Sequence, residues 1–312
     1  MTGLPWGHPR REHAHDPQRV RWSARDIPDQ RGRVAVVTGA DSGLGYVVAR
    51  ELARHGARVV LACRRARRGR EAVARLVGEV PGADVETRRL DLGDLASVRE
   101  FAAPIDRLDL LVNNAGGPAR PYGTTTADGF GTHRGVHHLG PFALTGLLLP
   151  TLLAAPPGAR VVTVSSMVHL AGKPDLRVLD GARGPRRRTA CGRSLSADLL
   201  FTHTLARRLR AIGSDVVAAA AHPGRAPVGP VTRLLARSAE AGALPVLHAA
   251  TAPDVAPDSF TGPSFARWRG GPAPARRAPW TRDDRAGDLL WAESARLTGV
   301  TYPELKGADP QG

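Results

Sequence analysis

The sequence predicts a doubly wound α/β fold, a mostly parallel sheet with helices on both faces. Three observations carry that expectation. Short apolar runs recur as strand candidates at 34–37, 58–62, 84–90, 108–112, 159–165 and 215–221. Stretches of helical periodicity separate them, as parallel βαβ units with right-handed crossovers require. A glycine-rich turn, Thr38-Gly39-Ala40-Asp41-Ser42-Gly43-Leu44-Gly45, joins the first strand to the first helix.

The elements follow in order. Val34-Ala35-Val36-Val37 is β-branched and ends in Thr38-Gly39, and a helix fits 43–55. A second strand at 58–62 precedes a helix at 69–78. Asp94 can cap the helix that carries Val98 and Phe101. A long helical stretch covers 135–153, and another fits 196–212. The strands are near-continuous apolar runs, as expected when both faces are covered. Beyond Pro223 the chain becomes rich in Pro and Gly. Helical pieces at 231–250 and 283–297 are expected to cover one end, and 263–279 to form a lid. The organisation expected is a flexible lead-in over 1–30, a single domain over 31–302 and a tail over 303–312.

The chain has 312 residues and a mass of 33.0 kDa, which suits one large domain with additions. Its 42% hydrophobic and 23% charged residues exclude wholesale disorder. The net charge of +15 comes almost wholly from arginine, since Lys173 and Lys306 are the only lysines. These arginines scatter without aromatic interleaving or a groove-reading motif, so no nucleic-acid partner is expected. Cys63 and Cys191 are far apart and form no C-x-x-C, which argues against a disulfide framework and for the reducing cytoplasm. The longest apolar run, 147–155, is broken by Pro150 and Thr151, so no membrane span is expected. The first residues are Pro-, His- and Arg-rich with no apolar signal core, so no export is expected.

The glycine turn carries the first chemistry. Glycines at 39, 43 and 45 allow a tight turn and close approach of backbone to phosphate. The following helix N-terminus offers amide donors and a positive dipole end. After the second strand an acidic residue would hold a ribose hydroxyl, but the chain reads Cys63-Arg64-Arg65. A guanidinium forks onto a 2′-phosphate, so NADP(H) is expected in preference to NAD(H).

Here the sequence resembles the short-chain dehydrogenase/reductase family. The 38–45 turn, Asp91-Leu92, Asn113-Asn114-Ala115-Gly116 and Pro223-Gly224 match its motifs in order and spacing. Leu61-Ala62-Cys63-Arg64, Val164-Ser165-Ser166-Met167-Val168-His169, Ala221-His222-Pro223-Gly224 and the stretch 291–300 resemble its retinol-dehydrogenase-like branch. The resemblance spans about 22–302 and implies a Rossmann fold. It implies that Gly39, Ser42, Gly43, Leu44, Gly45 and Arg64 hold the nucleotide phosphates. It further implies that Asp91 and Leu92 flank the adenine. Asn113, Ala115 and Gly116 would line the ribose side, with Pro223 and Gly224 completing the cofactor site.

The family moves a hydride between nicotinamide and a carbonyl or alcohol carbon. A Tyr phenol acts as general acid or base, and a Lys four positions on lowers its pKa. A Ser binds the substrate oxygen, and an Asn orders a relay water. By resemblance Ser166 is that serine. The Tyr and Lys positions hold Cys191 and Leu195, and the Asn position holds His137. Val228 replaces a threonine usual after Pro-Gly. No Tyr-x-x-x-Lys pair is expected on Tyr46, Tyr122 or Tyr302. A thiol is a weak donor with a pKa of about 8.5, and leucine carries no charge.

Alternatives stay open for these residues. His137 could donate a proton or merely fill the asparagine's space. Cys191 could be a nucleophile in the field of Arg193 and the 186–188 arginines, or a buried inert thiol. His133 and His137 have the i, i+4 spacing of metal ligands, but no third ligand is evident in the sequence, so no metal is expected. The Arg-rich 181–188 segment reads as a solvated loop before the catalytic helix. The expected function is an NADP(H)-dependent oxidoreductase with altered or weakened catalysis on a small-molecule carbonyl or alcohol. The alternative is a catalytically inactive nucleotide-binding sensor or interaction partner. Relatives pair through their long central helices, so a homo-oligomer is compatible with the resemblance.

Overall fold

Side chains alternate across a strand, so a strand that is apolar throughout must bury both faces. The first strand does so: Ala35 and Val37 enter one core cluster and Val36 the other. The second splits Val59 and Leu61 from Val60 and Ala62 in the same way. The computed structural model describes residues 22–116, 124–173, 187–224, 239–265 and 269–308.

In chain order these are β1 (Val34–Thr38), α1 (Gly43–Arg54), β2 (Arg58–Cys63), α2 (Ala66–Glu79), β3 (Val85–Arg89) and α3 (Leu95–Ala102). Then come β4 (Leu110–Asn113), α4 (Thr132–Leu153), β5 (Arg160–Val164), α5 (Arg187–Ala211) and β6 (Val217–Ala221). The last are α6 (Ala239–Thr251), β7 (Phe260–Phe265), β8 (Arg269–Pro274) and α7 (Asp284–Thr298). The sheet order is β3-β2-β1-β4-β5-β6-β7-β8, parallel except for the antiparallel β7–β8 pair. The doubly wound expectation holds. The order reverses between β1 and β4, and ligands in such sheets bind beyond the strand ends at that switch point.

Asp94 caps α3 as expected, accepting from the amides of Ala96 and Ser97. Helix α4 differs from expectation. It starts at Thr132, and over Gly135–Leu139 its hydrogen bonds widen, the Gly140 amide reaching back five residues to Gly135 O. Such π-type turns recur at functional sites. Gly140 is also where the helix meets the backbone, since an added Cβ would lie 2.3 Å from Leu92 O. By length and composition α4 could cross a membrane, but 72% of that apolar window is buried in the fold, where it forms core.

Two edges depart from the sequence reading. The 263–279 stretch, expected as a lid, supplies part of β7 and all of β8, which extend the sheet at its edge. Pro cannot donate to a ladder and is tolerated there only because β8 is an edge strand. Residues 22–30 pack onto the body: Ile27 is buried, and Trp22 meets the His248 ring edge-on. At the other end Leu305 is buried and the Tyr302 hydroxyl donates to Phe142 O, so packing continues past residue 302. Residues 1–21 and 309–312 lie outside the described residues.

A charged knot ties α5 to the end of the sheet and to α7. His203 donates from Nδ1 to Asp258 and from Nε2 to Asp284, each at 2.8 Å. Asp258 sits at φ 60°, a left-handed conformation that Asp tolerates. The hydrogen bond to Asp258, with that to Asp284, raises the His203 pKa above its ordinary 6.5 despite burial and the Arg277 charge. A raised folded pKa gives stability that is complete below the ordinary value and lost as pH rises through the folded one. His203→Gln is therefore expected to destabilise most below about pH 6 and progressively less at higher pH, as denaturant unfolding across pH will show. A penalty that does not fall with pH would sink this reading of the knot.

Candidate active site

Strand β1 ends at Thr38, and the chain turns through Gly39 at φ +67° and Gly43 at φ +57°, a left-handed region open to glycine. Ser42 and Gly43 are exposed, and the Ser42 side chain makes no cap to the α1 amides. The helix thus starts with donors that its own cap residue leaves to another acceptor, as a phosphate site needs. Gly45 lies beneath. An added Cβ there would stand 2.4 Å from Asn114 Nδ2 and 2.5 Å from Gly39 O.

Asn114, which the sequence reading did not single out, braces this turn. Its Nδ2 donates to Thr38 O at 2.8 Å, and its amide donates to Thr38 Oγ1 at 2.9 Å. The Ala115 amide donates to the same hydroxyl at 2.9 Å. Asn113 points elsewhere: its Nδ2 donates to Thr145 Oγ1 of α4 and it is buried. Its Nδ2 therefore holds strand to helix. Leu92 is likewise buried in the core. Asp91 is half-buried and accepts from the Gly93 amide. Arg64 and Arg65 are exposed directly after β2, while burial pushes the Cys63 thiol up to about 11. Gly224 follows Pro223 at φ +93°, its amide donating to His222 Nδ1. Val228 lies outside the described residues.

Ser166 follows β5 and is half-buried. Its Oγ accepts the Val168 amide, which leaves its own O–H as a donor. The turn behind it is held by His169, the last residue of the 164–169 motif, to which the sequence assigned no role. Its Nε2 accepts the Ala278 amide, so Nδ1 carries the proton and donates to Ser166 O at 2.7 Å. Burial lowers the His169 pKa, which keeps the imidazole neutral for that double role. Helix α5 docks on the same turn: Ser165 Oγ donates to Leu195 O, and Ser196 Oγ to His169 O. An added Cβ on Gly192 would lie 2.9 Å from Val168 O.

Cys191 is half-buried near the start of the described side chains of α5, and Leu195 is 8% exposed. His137 approaches α5 at Ser194 and Cys191. Its Nδ1 lies 3.2 Å from Ser194 Oγ, and Ser194 gives its own proton to Cys191 O. Ser194 therefore accepts from His137 Nδ1–H, which puts the imidazole lone pair on Nε2. On the other side Gly116 leaves room: an added Cβ would sit 3.5 Å from His137 Cδ2 and 3.7 Å from Nε2. His133 stacks edge-on against His137 with ring centroids 5.4 Å apart. The ligand atoms of His133, His137 and Cys191 all lie within 4.8 Å of one another. The third partner that the sequence could not supply is thus Cys191, from another helix. Its neighbour His138 turns into the core, with Nε2 on Ser294 Oγ and its pKa pushed down to about 3 by burial and then by Arg134.

The tyrosines stand elsewhere. The Tyr46 hydroxyl donates to Glu79, and Tyr122 lies outside the described residues. The sequence reading of Tyr302 needs correction: Tyr302 and Lys306 do carry the Tyr-x-x-x-Lys spacing. The structure removes it from the cleft. Tyr302 is buried, spends its proton on Phe142 O, and is followed by Pro303 at the start of a 3₁₀ turn. The 181–186 part of the Arg-rich loop lies outside the described residues, and Arg187 begins α5.

Residues 33–178 match the model of the short chain dehydrogenase family. Human retinol dehydrogenase 13 is 38% identical over 298 residues, covering 88% of this chain and 87% of that protein. The crystal structure of an uncharacterised protein from Mycobacterium paratuberculosis is 43% identical, with a TM-score of 0.80 over 91% of this chain and 100% of that one. A metagenomic short-chain oxidoreductase in complex with NADP is 27% identical, with a TM-score of 0.57 over 74% of this chain and 96% of that one. Gly45→Ala is expected to force the first turn apart and weaken NADPH binding at least ~10-fold, read by fluorescence titration with the fold checked by circular dichroism. Unchanged affinity in a folded variant would mean that the turn does not hold the cofactor.

Proposed function

Because the chain belongs to the short-chain dehydrogenase/reductase family, we propose that it is an NADP(H)-dependent oxidoreductase. Its substrate is a small carbonyl or alcohol, and its proton-handling groups are altered. The observation that carries this reading is the first turn and its surroundings. An exposed helix start without a side-chain cap faces the switch-point crevice, and Arg64 and Arg65 follow β2 where a ribose-binding carboxylate would otherwise stand. The residues present fit a dinucleotide: the α1 amides for phosphate, Arg64 for a 2′-phosphate, and the Ala115-Gly116 backbone beside the ribose. The names of the matched relatives support a dehydrogenase, and nothing in them favours the non-catalytic sensor. The retinol-dehydrogenase likeness supports a largely apolar alcohol or aldehyde.

When bound, the nicotinamide supplies or accepts the hydride at the substrate carbon. The chain's own groups handle the oxygen. Ser166 donates its O–H to it, held in place by the Val168 amide and by His169 behind. Cys191 and His137 occupy the remaining polar face of the cleft, while Leu195 adds neither charge nor donor. A thiol without a neighbouring ammonium transfers a proton less readily than a tuned phenol.

Asp41 complicates the adenosine end, since its charge reaches Cys63 at the end of β2. Arg64 has to outweigh it for NADP(H) to be preferred. Arg64→Ala is expected to cut NADPH affinity about 10- to 100-fold while leaving NADH affinity within about 2-fold, as loss of one charge-assisted contact implies. Equal losses for both dinucleotides would remove the basis for the NADP(H) preference. In metal-free buffer the triple variant Cys191→Tyr, Leu195→Lys, His137→Asn is expected to reduce a panel of aldehydes at least ~10²-fold faster than the parent. A parent as fast as the triple variant under those conditions would overturn the account of the proton-handling groups.

A further inference from the structure

Outside the cofactor cradle, one cluster has a chemistry that the hydride-transfer reading does not use. His133 and His137 project from α4, and Cys191 projects from α5. Their ligand atoms converge within 4.8 Å of one another. We propose that these three residues form a zinc site with an open fourth position, set against the substrate cleft.

Four observations converge on that assignment. First, the donor set is two imidazoles and one thiolate. This borderline-soft combination suits Zn²⁺ and suits Mg²⁺ or Ca²⁺ poorly, since those prefer oxygen. Second, the geometry is close to closed. Zn–N of about 2.0–2.1 Å and Zn–S of about 2.3 Å place tetrahedral ligand atoms roughly 3.3–3.6 Å apart. Side-chain rotations of about 1 Å would bring the three to that spacing. Third, the outer shell is in place. Ser194 accepts from His137 Nδ1–H and passes its proton to Cys191 O, so it fixes the tautomer that presents Nε2 as ligand. Fourth, the two histidines flank the start of the π-type turn that begins at Gly135, and their rings meet edge-on with centroids 5.4 Å apart.

Three protein ligands leave one coordination position, the arrangement of catalytic rather than structural zinc. The Asn-Asn-Ala-Gly turn lies on the Nε2 side of His137, where an added Cβ on Gly116 would stand 3.7 Å from Nε2. This deepens the proposed oxidoreductase reading and rests on it for the next step only. A cation held there would face the substrate oxygen where Cys191 alone is a poor donor. It would polarise the carbonyl without moving a proton. The bound nicotinamide would supply hydride to the carbonyl carbon, the oxygen would take up the electron pair, and solvent would supply the proton that completes the alcohol.

The site is tested on the full chain by metal content and by spectroscopy, apart from activity. Protein expressed with zinc and dialysed is expected to retain one zinc per chain. Co²⁺ added to the metal-free protein is expected to give thiolate-to-cobalt charge transfer in the near ultraviolet and ligand-field bands of tetrahedral intensity. Cys191→Ser should abolish the charge-transfer band and weaken zinc at least ~100-fold. His133→Ala should weaken zinc similarly, and Cys63→Ser should leave both signals intact. NADPH titration of each variant shows whether the fold and cofactor site persist. The proposal is overturned if the wild type binds Co²⁺ without a thiolate band, or if the band survives Cys191→Ser. It is also overturned if zinc is lost on dialysis while NADPH still binds. Failure of NADPH binding with the cobalt signature intact would instead sink the oxidoreductase reading and leave the metal site standing.

Discussion

The site depends on one lock between the ends of two neighbouring strands. Thr38 closes β1, and Asn113 closes β4. The Thr38 hydroxyl receives the amides of Asn114 and Ala115, and the Asn114 amide nitrogen returns to Thr38 O. Parallel strands splay beyond their last ladder bonds, and these three bonds hold the splay at one width. On one side of the lock lies the glycine turn, with Gly45 pressed under Asn114. On the other lies Gly116, beside His137. A shift at Thr38 would move both halves of the site at once. The cofactor cradle and the reacting cleft therefore share one mechanical origin.

The fold was legible because its signals are local. Apolar runs ending in Thr38-Gly39, a helix capped by Asp94 and a turn with three glycines each state their geometry within a few residues. The errors fell where local signals conflict with context. The 263–279 stretch reads as a lid, yet its first residues complete a strand that begins at Phe260. Gly262 is required because His222 fills the space a Cβ would take, at 2.0 Å from Nε2, and Pro263 is paired where the ladder shifts register. The Tyr302–Lys306 spacing illustrates the converse. The pattern is present, but Pro303 and the aromatic packing of Tyr302 on Trp291 and Phe142 commit it to the core. A motif states chemistry only where the surrounding structure leaves its atoms available.

The site was legible in halves for the same reason. The nucleotide turn is contiguous in sequence, so its residues could be named. The cleft is assembled across helices, and no spacing along the chain joins His137 to Ser194 or His169 to Ala278. The pair His133 and His137 was visible as i, i+4, but that rule assumes a regular helix. Here the two histidines flank a widened turn with their rings edge-on, and the third member comes from α5. Asn114 escaped notice beside Asn113 because adjacent strand-end residues face opposite ways. One holds α4, and the other holds the turn.

On the proposed reading, Cys191 and Leu195 are one change rather than two. A lysine at position 195 would sit where the side chain is 8% exposed, on a helix tied to β5 through its own carbonyl. Burying an ammonium there is costly unless a phenolate or a ribose hydroxyl shares its charge. Once the phenol is gone, most of what would hold the ammonium is gone with it, and leucine removes the cost while filling the volume. The histidine at 137 then follows from the same logic. A wedge of sulfur and hydrocarbon leaves the substrate oxygen with Ser166 as its fixed donor, so electrophilic help must come from across the cleft. The residue across from it is His137, with its proton placed on Nδ1 by Ser194 and its Nε2 on the side of Gly116. A lone pair is useless to an oxygen that needs a positive partner unless a cation stands between them, and among the described residues the His133–His137–Cys191 triangle has the ligands to hold one.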